Sequence, residues 1–188
     1  MSIIKFYTSF QEYYKVQKRN MNVLCIINFN TIKMNKIILL LLLISYSGYS
    51  QIAVGDGIPS FELQDTTNQI FEVSSITNKY ILVDFWASWC APCRAANKKL
   101  IAIRNGFSID DLMVIGVSID TDKNKWLKAI EKDKINYIQL NDPNGFDSPT
   151  ALKFGFDQLP ASYLFDKNGK LIAINPTFEM ISNQLNLK

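Results

Sequence analysis

The sequence predicts an α/β domain on a central mixed β-sheet flanked by helices, with an N-terminal β-hairpin extension. Three observations predict it. Residues 79–87 (KYILVDFWA) and 112–120 (LMVIGVSID) are continuous apolar runs, the composition of strands covered on both faces. Each is followed by a segment of helical periodicity, and strands alternating with helices imply parallel pairing through right-handed crossovers. Between two later apolar runs lies Asn168-Gly169, a strong hairpin signal that adds antiparallel strands.

The elements follow in order. Residues 61–73 (FELQDTTNQIFEV) read as a small hairpin ahead of the first buried strand. After that strand, Ala95, Ala96, Leu100 and Ile103 form a helical stripe, and Asn105-Gly106 stops it. Residues 122–134 are a second helix, with Trp126, Leu127 and Ile130 inward and lysines outward. Residues 148–155 (SPTALKFG) carry a Ser cap, Pro at the first helical position and Gly at the end, which predicts a short helix. Residues 162–174 are the closing hairpin, and residues 177–187 a final helix capped by Thr177.

Charge divides the chain. The 188 residues have a net charge of +3, but residues 1–50 carry six basic residues and one acidic one. The remaining residues carry 14 basic and 16 acidic side chains, so the part that folds is nearly neutral and nothing in it suggests a nucleic-acid footprint, which would need a basic face. The excess belongs to a targeting segment. From Met34 a short basic stretch leads into an apolar run, residues 37–44, and then to small residues before Gln51. That is the order of a cleavable secretion signal, and the run is much shorter than the ~20 residues of a membrane span. The expected organisation is a leader at 1–33 upstream of the true start, a signal peptide at 34–50 and one domain at 51–188. Cys25 falls in the leader and is given no function. An exported chain meets an oxidising compartment, the periplasm or cell envelope, where disulfides persist.

Residues 51–188 contain two cysteines, Cys90 and Cys93, and the chain has no histidine. A structural zinc site needs about four ligands, so this pair is not half of one. No cofactor is expected. As a structural staple the pair is weak, because disulfide stabilisation grows with loop length. Exchange suits it better. A cysteine at a helix N-terminus has a stabilised thiolate, and a second one turn later can close on a mixed disulfide. Asp84, between Val83 and Phe85 in the buried strand, would be costly there as an unpaired carboxylate, which favours a functional acid with a raised pKa. Arg94, Lys98 and Lys99 read as a solvated helix face beside the pair.

The stretch VDFWASWCAPC resembles the active site of thioredoxin, and with GDGIPSFELQD and the secretion signal it resembles the exported thioredoxin-like family of the TlpA/ResA type. The resemblance spans residues 54–187, and the opening motif is shared with peroxiredoxins. It implies a thioredoxin fold and a cell-envelope thiol–disulfide oxidoreductase acting as a reductant, since Ala91-Pro92 lacks the histidine of strongly oxidising relatives. It implies Cys90 as the exposed attacking thiolate, Cys93 as the buried resolving thiol and Asp84 as the acid that moves the Cys93 proton. Trp89 would shelter the site, and Pro92 would fix the turn between the sulfurs. Pro160 would be a cis-proline facing the pair, with Leu159 offering backbone groups to a substrate peptide. The implied partners are disulfide-bearing envelope proteins, apocytochrome c among them, and a membrane thiol electron donor. Contact with the membrane itself would come only through an uncleaved signal. Relatives often carry Glu or Pro where this chain has Ala91, Ala96 and Lys98, and the lysine near thioredoxin's buried acid is replaced by Gly116. Two further readings stand: a peroxiredoxin-like thiol peroxidase, which Ser88-Trp89-Cys90 matches poorly, and a non-catalytic thioredoxin-fold binding module.

Overall fold

The computed structural model describes residues 51–76 and 78–186; the expected leader, Cys25 and the signal segment lie outside the described residues. The described chain forms one seven-stranded sheet. Its strands are β1 (Glu62–Asp65), β2 (Ile70–Glu72), β3 (Tyr80–Trp86), β4 (Leu112–Ser118), β5 (Ile138–Asn141), β6 (Ala161–Phe165) and β7 (Leu171–Ile174). The helices are α1 (Ala91–Gly106), α2 (Lys123–Asp133), α3 (Pro149–Phe154) and α4 (Phe178–Asn186).

The spatial order is β2-β1-β5-β4-β3-β6-β7. β3, β4 and β5 are parallel, and β6 and β7 continue antiparallel. The N-terminal hairpin joins this sheet, because β1 pairs antiparallel with both β2 and β5. β5 has no counterpart in the sequence reading. It is four residues long and half polar, IQLN, so neither periodicity nor apolar content marks it.

Local chemistry explains the boundaries. Ser148 caps α3 by accepting from the Ala151 N–H at 3.0 Å, and Gly155 ends it at φ 70°. The β6–β7 turn is held by Asp166, whose carboxylate accepts from the N–H groups of Asn168 and Lys170. Thr177 Oγ1 accepts from the Met180 N–H at 3.2 Å at the start of α4.

Alternation along β3 builds two interiors. Ile81, Val83 and Phe85 enter a core with Ile115, Val117, Phe154, Tyr163 and Phe165. Leu82 enters the other, with Leu100 and Ile103 of α1 and Ile181 and Leu185 of α4. At its upper end, Trp86 packs with Cys90, Cys93 and Trp126 of α2. The α1 stripe differs from expectation. Ala95 is exposed and Ala96 half-buried, while Cys93, Asn97, Leu100 and Ile103 are the buried set. A polar Asn97 faces inward because it has partners there.

Candidate active site

The site forms where β3 ends and α1 begins. The Ile119 N–H donates to the Trp86 carbonyl at 3.0 Å, and the Cys90 N–H donates to the Ala87 carbonyl at 3.1 Å, closing the turn between them. Asp120, just past β4, fixes that turn from below. Its carboxylate accepts from the Ser88 N–H and from Ser88 Oγ, each at 2.7 Å. Ser118 Oγ donates to the same carboxylate at 2.7 Å.

Cys90 is the N-cap of α1, Pro92 lies in its first turn, and that turn has no acidic residue. Cys90 and Cys93 are joined by a disulfide, with Cα atoms 5.3 Å apart. Cys90 is 6% exposed and Cys93 wholly buried. The exposed sulfur expected at position 90 is thus nearly covered, because the bond turns it back onto the helix. There it accepts from the Cys93 N–H at 3.2 Å. Trp89 projects into solvent at 61% exposure, so its ring is not packed down over the pair.

Leu159, half-buried, packs against the cluster that contains both cysteines, and the Leu159–Pro160 peptide bond is cis. Pro160 itself is exposed and lines a cavity of about 240 Å³. Asp84 lines the same cavity from β3, with Ala96 and Lys99 of α1, Ser162 and Phe178 among the other walls. The cavity therefore brings together Asp84 and Pro160, which lie 76 positions apart in the chain.

Asp84 does not point to solvent. It is 3% exposed, and its Oδ2 has no hydrogen-bond partner. Burial pushes its pKa up to about 8. In register it stands between Ser162 on β6 and Gly116 on β4.

Several polar residues around it were not legible in the sequence. Gln139 of β5 stands opposite Gly116, and its amide oxygen accepts from Trp86 Nε1 at 2.9 Å. The Tyr137 hydroxyl donates to Asn97 Oδ1 at 3.3 Å, and Asn97 Nδ2 lies 3.4 Å from Asp133 Oδ2. Burial, then the charges of Asp84 and Asp133, push the Tyr137 hydroxyl well above its ordinary value, with Gln139 pulling the other way. Arg94 completes the chain and corrects an expectation. Rather than being solvated, its guanidinium is paired through Nε and Nη2 with Asp133, and Nη1 donates to the Ser88 carbonyl at 3.2 Å. The Arg94 hydrogen bond holds the Asp133 carboxyl below its ordinary value. Lys98 and Lys99 are exposed, as read. Among the described residues, no group of three or more His, Cys, Asp or Glu is placed to hold a metal ion.

The arrangement can take up and release two electrons through one S–S bond, beside a buried acid of raised proton affinity. Comparison with known proteins agrees. The AhpC/TSA family model matches residues 54–174. ResA of Bacillus subtilis, a thiol-disulfide oxidoreductase, is 23% identical over 145 residues, 76% of this chain and 79% of its own length. DsbE of Escherichia coli, a thiol:disulfide interchange protein, is 30% identical over 122 residues, 62% of this chain; the match spans only 61% of DsbE. A solved thiol-disulfide oxidoreductase from Bacteroides fragilis superposes with a TM-score of 0.65 at 30% identity, covering 70% of this chain and 98% of that one. The chain belongs to the AhpC/TSA family and, within it, to the thioredoxin-like thiol–disulfide oxidoreductases of the TlpA/ResA type.

Proposed function

We propose that the protein is an exported reductant of protein disulfides in the cell envelope, with Cys90 attacking and Cys93 resolving. The observation that carries the reading is the asymmetry of the pair. Cys90 sits at the helix terminus with residual exposure, whereas Cys93 is sealed on the side of the sheet that holds Asp84. Free N–H groups and the helix dipole at that terminus favour a thiolate at Cys90.

The cycle balances with two electrons. A dithiol donor reduces the Cys90–Cys93 disulfide, its two thiols becoming a disulfide; Asp84 gives its proton to the leaving Cys93 sulfur and is left as the carboxylate. The Cys90 thiolate attacks one sulfur of a substrate disulfide; a Cys90–substrate bond forms, and the other substrate sulfur leaves as a thiolate. The Asp84 carboxylate then takes the Cys93 proton, and the Cys93 thiolate attacks Cys90 Sγ. The Cys90–Cys93 bond re-forms, the substrate leaves reduced, and its thiolates take up protons. An acid with a pKa close to that of a thiol can move this proton either way.

Trp89 and Pro92 shape the rim of the site, and Leu159 and Pro160 offer backbone edge to an extended substrate segment. Residues 34–50 deliver the chain across a membrane, where re-reduction calls for a membrane thiol donor. Apocytochrome c and misoxidised envelope proteins are fitting substrates. No helix among the described residues is long and apolar enough to cross a membrane.

The test is trapping combined with a potential. Cys93→Ser is expected to accumulate a mixed disulfide with substrate, and Cys90→Ser to form none and lose exchange. A pair potential near ~−270 mV marks a reductant, and one near ~−120 mV would overturn that direction. Trapping through Cys93 with Cys90 absent would reverse the assigned roles.

A further inference from the structure

Two buried polar atoms on the same face of the sheet make no close hydrogen bond: Asp84 Oδ2 on β3 and Gln139 Nε2 on β5, the Gln139 side chain being the least of the influences on the Tyr137 hydroxyl. They are separated by a single strand, and the residue between them is a glycine. Asp84 pairs in register with Gly116, and Gly116 with Gln139. The missing side chain leaves room for the Gln139 amide to lean across β4. A Cβ at position 116 would overlap that amide, standing 2.7 Å from its oxygen. The lean already reaches β3, since the amide oxygen accepts from Trp86 Nε1. Adjacent strands lie about 4.8 Å apart, so an amide held over Gly116 is within one side chain's reach of the Asp84 carboxyl.

Trp86 also orients the amide. Because the indole N–H can only donate, the oxygen of Gln139 is turned to it, and the NH₂ group must point elsewhere on this face. A protonated Asp84 has no need of that donor. A carboxylate does, because an unpaired buried charge is far costlier than an unpaired neutral group.

Resting on the reading of Asp84 as the proton acceptor for Cys93, we propose that Gln139 is a positioning residue for this reaction: its amide N–H receives the Asp84 carboxylate once the acid has lost its proton. The pair works as a latch on proton traffic, open while Asp84 is neutral and closed when it is charged. Gly116 is part of it, as the position that must stay empty. The other charged or titratable groups around Asp84 are Tyr137, ahead of β5, and Lys99 of α1. In register, β4 and β6 set Gly116 and Ser162 beside it.

The test is a titration of the Asp84 side chain by carboxyl carbon NMR in the intact oxidised protein, where neither cysteine titrates. Gln139→Met keeps the volume and removes the donor. Its Asp84 midpoint is expected to rise by about one unit, a tenfold tighter proton. Gly116→Ala keeps the glutamine but displaces its amide, and serves if the first variant does not fold; the same rise is expected. Trp86→Phe removes the indole that orients the amide but leaves the donor itself, so a smaller rise than in Gln139→Met is expected. No rise in either Gln139→Met or Gly116→Ala overturns the proposal. Resolution of a trapped mixed disulfide separates this failure from that of the underlying reading. If Asp84→Asn resolves at the parental rate at every pH, Asp84 is not the acceptor and both fall. If Asp84→Asn is slow while Gln139→Met keeps the parental pH profile, only Gln139 is excluded.

Discussion

The odd and even residues of β3 enter two interiors of different chemistry. Ile81, Val83 and Phe85 meet a core in which the buried polar atoms are satisfied: the Tyr163 hydroxyl donates to the Phe154 carbonyl at 3.1 Å. Leu82, Asp84 and Trp86 face α1, α2 and α4, and that side holds all three unpartnered buried side-chain atoms found among the described residues: Asp84 Oδ2, Trp126 Nε1 and Gln139 Nε2. Each such atom costs about 1–3 kcal/mol. The contrast teaches that one strand separates two tasks by parity. Its odd side stabilises the domain, and its even side tolerates unsatisfied groups where the disulfide is worked.

The largest expected effect lies on the odd side. Phe85 is fully buried, with ring centroids 4.8 Å from Phe154, 4.3 Å from Phe156 and 5.9 Å from Tyr163. Phe85→Ala is expected to cost about 3–5 kcal/mol of stability, read from the denaturant midpoint. The reduction potential of the folded fraction should hardly move. A shift in potential as large as that of an Asp84 variant would break the division.

The next effect sharpens the even side. The folded protein keeps the Asp84 proton up to about pH 8, whereas the unfolded chain releases it near the ordinary value of 3.8. Between those values the folded state binds more protons, so stability falls as pH rises, by about 1.4 kcal/mol per unit, and levels off above the folded pKa. Asp84→Asn is expected to remove that slope. Urea midpoints of the oxidised protein from about pH 4.5 to 8.5 would show it, because disulfide-bonded cysteines do not titrate. Asp65 and Asp133 are held below 3.8, so their contributions are lost only at more acid pH. Tyr137 and Tyr163 are shifted above 10, beyond the window. An unchanged slope in Asp84→Asn would mean that the carboxyl is solvated in solution.

The two sides were not equally legible in the sequence. Val83, Asp84 and Phe85 announce a buried acid because a continuous apolar run must be covered on both faces. Ser148, Gly155 and Asn168-Gly169 act within a few residues of themselves, so they could be read directly. Asn97 could not, because Ala95 and Ala96 supply an apolar stripe one position away. Only the Tyr137 hydroxyl and Asp133, distant in the chain, explain an inward asparagine. The β5 strand and Gln139 were invisible for the same reason. A polar strand residue gains meaning from Trp86 and Gly116, which reach it through sheet order rather than chain order.

The smallest stability effect is the reverse of the first. Trp89 is 61% exposed in the turn between β3 and α1, so Trp89→Ala should change stability by no more than about 0.5 kcal/mol. Its ring stands free beside a nearly covered disulfide, where an incoming protein surface can bury it. Aromatic anchors of that kind contribute about 1–2 kcal/mol or more to a protein contact, so KM for a protein disulfide should rise roughly five- to thirtyfold. The rate toward a small disulfide, which offers no surface for the ring, should be unaffected. An equal loss on both substrates would show that Trp89 tunes the sulfurs rather than gripping the partner. Phe85→Ala and Trp89→Ala would then no longer separate holding the fold from holding the substrate.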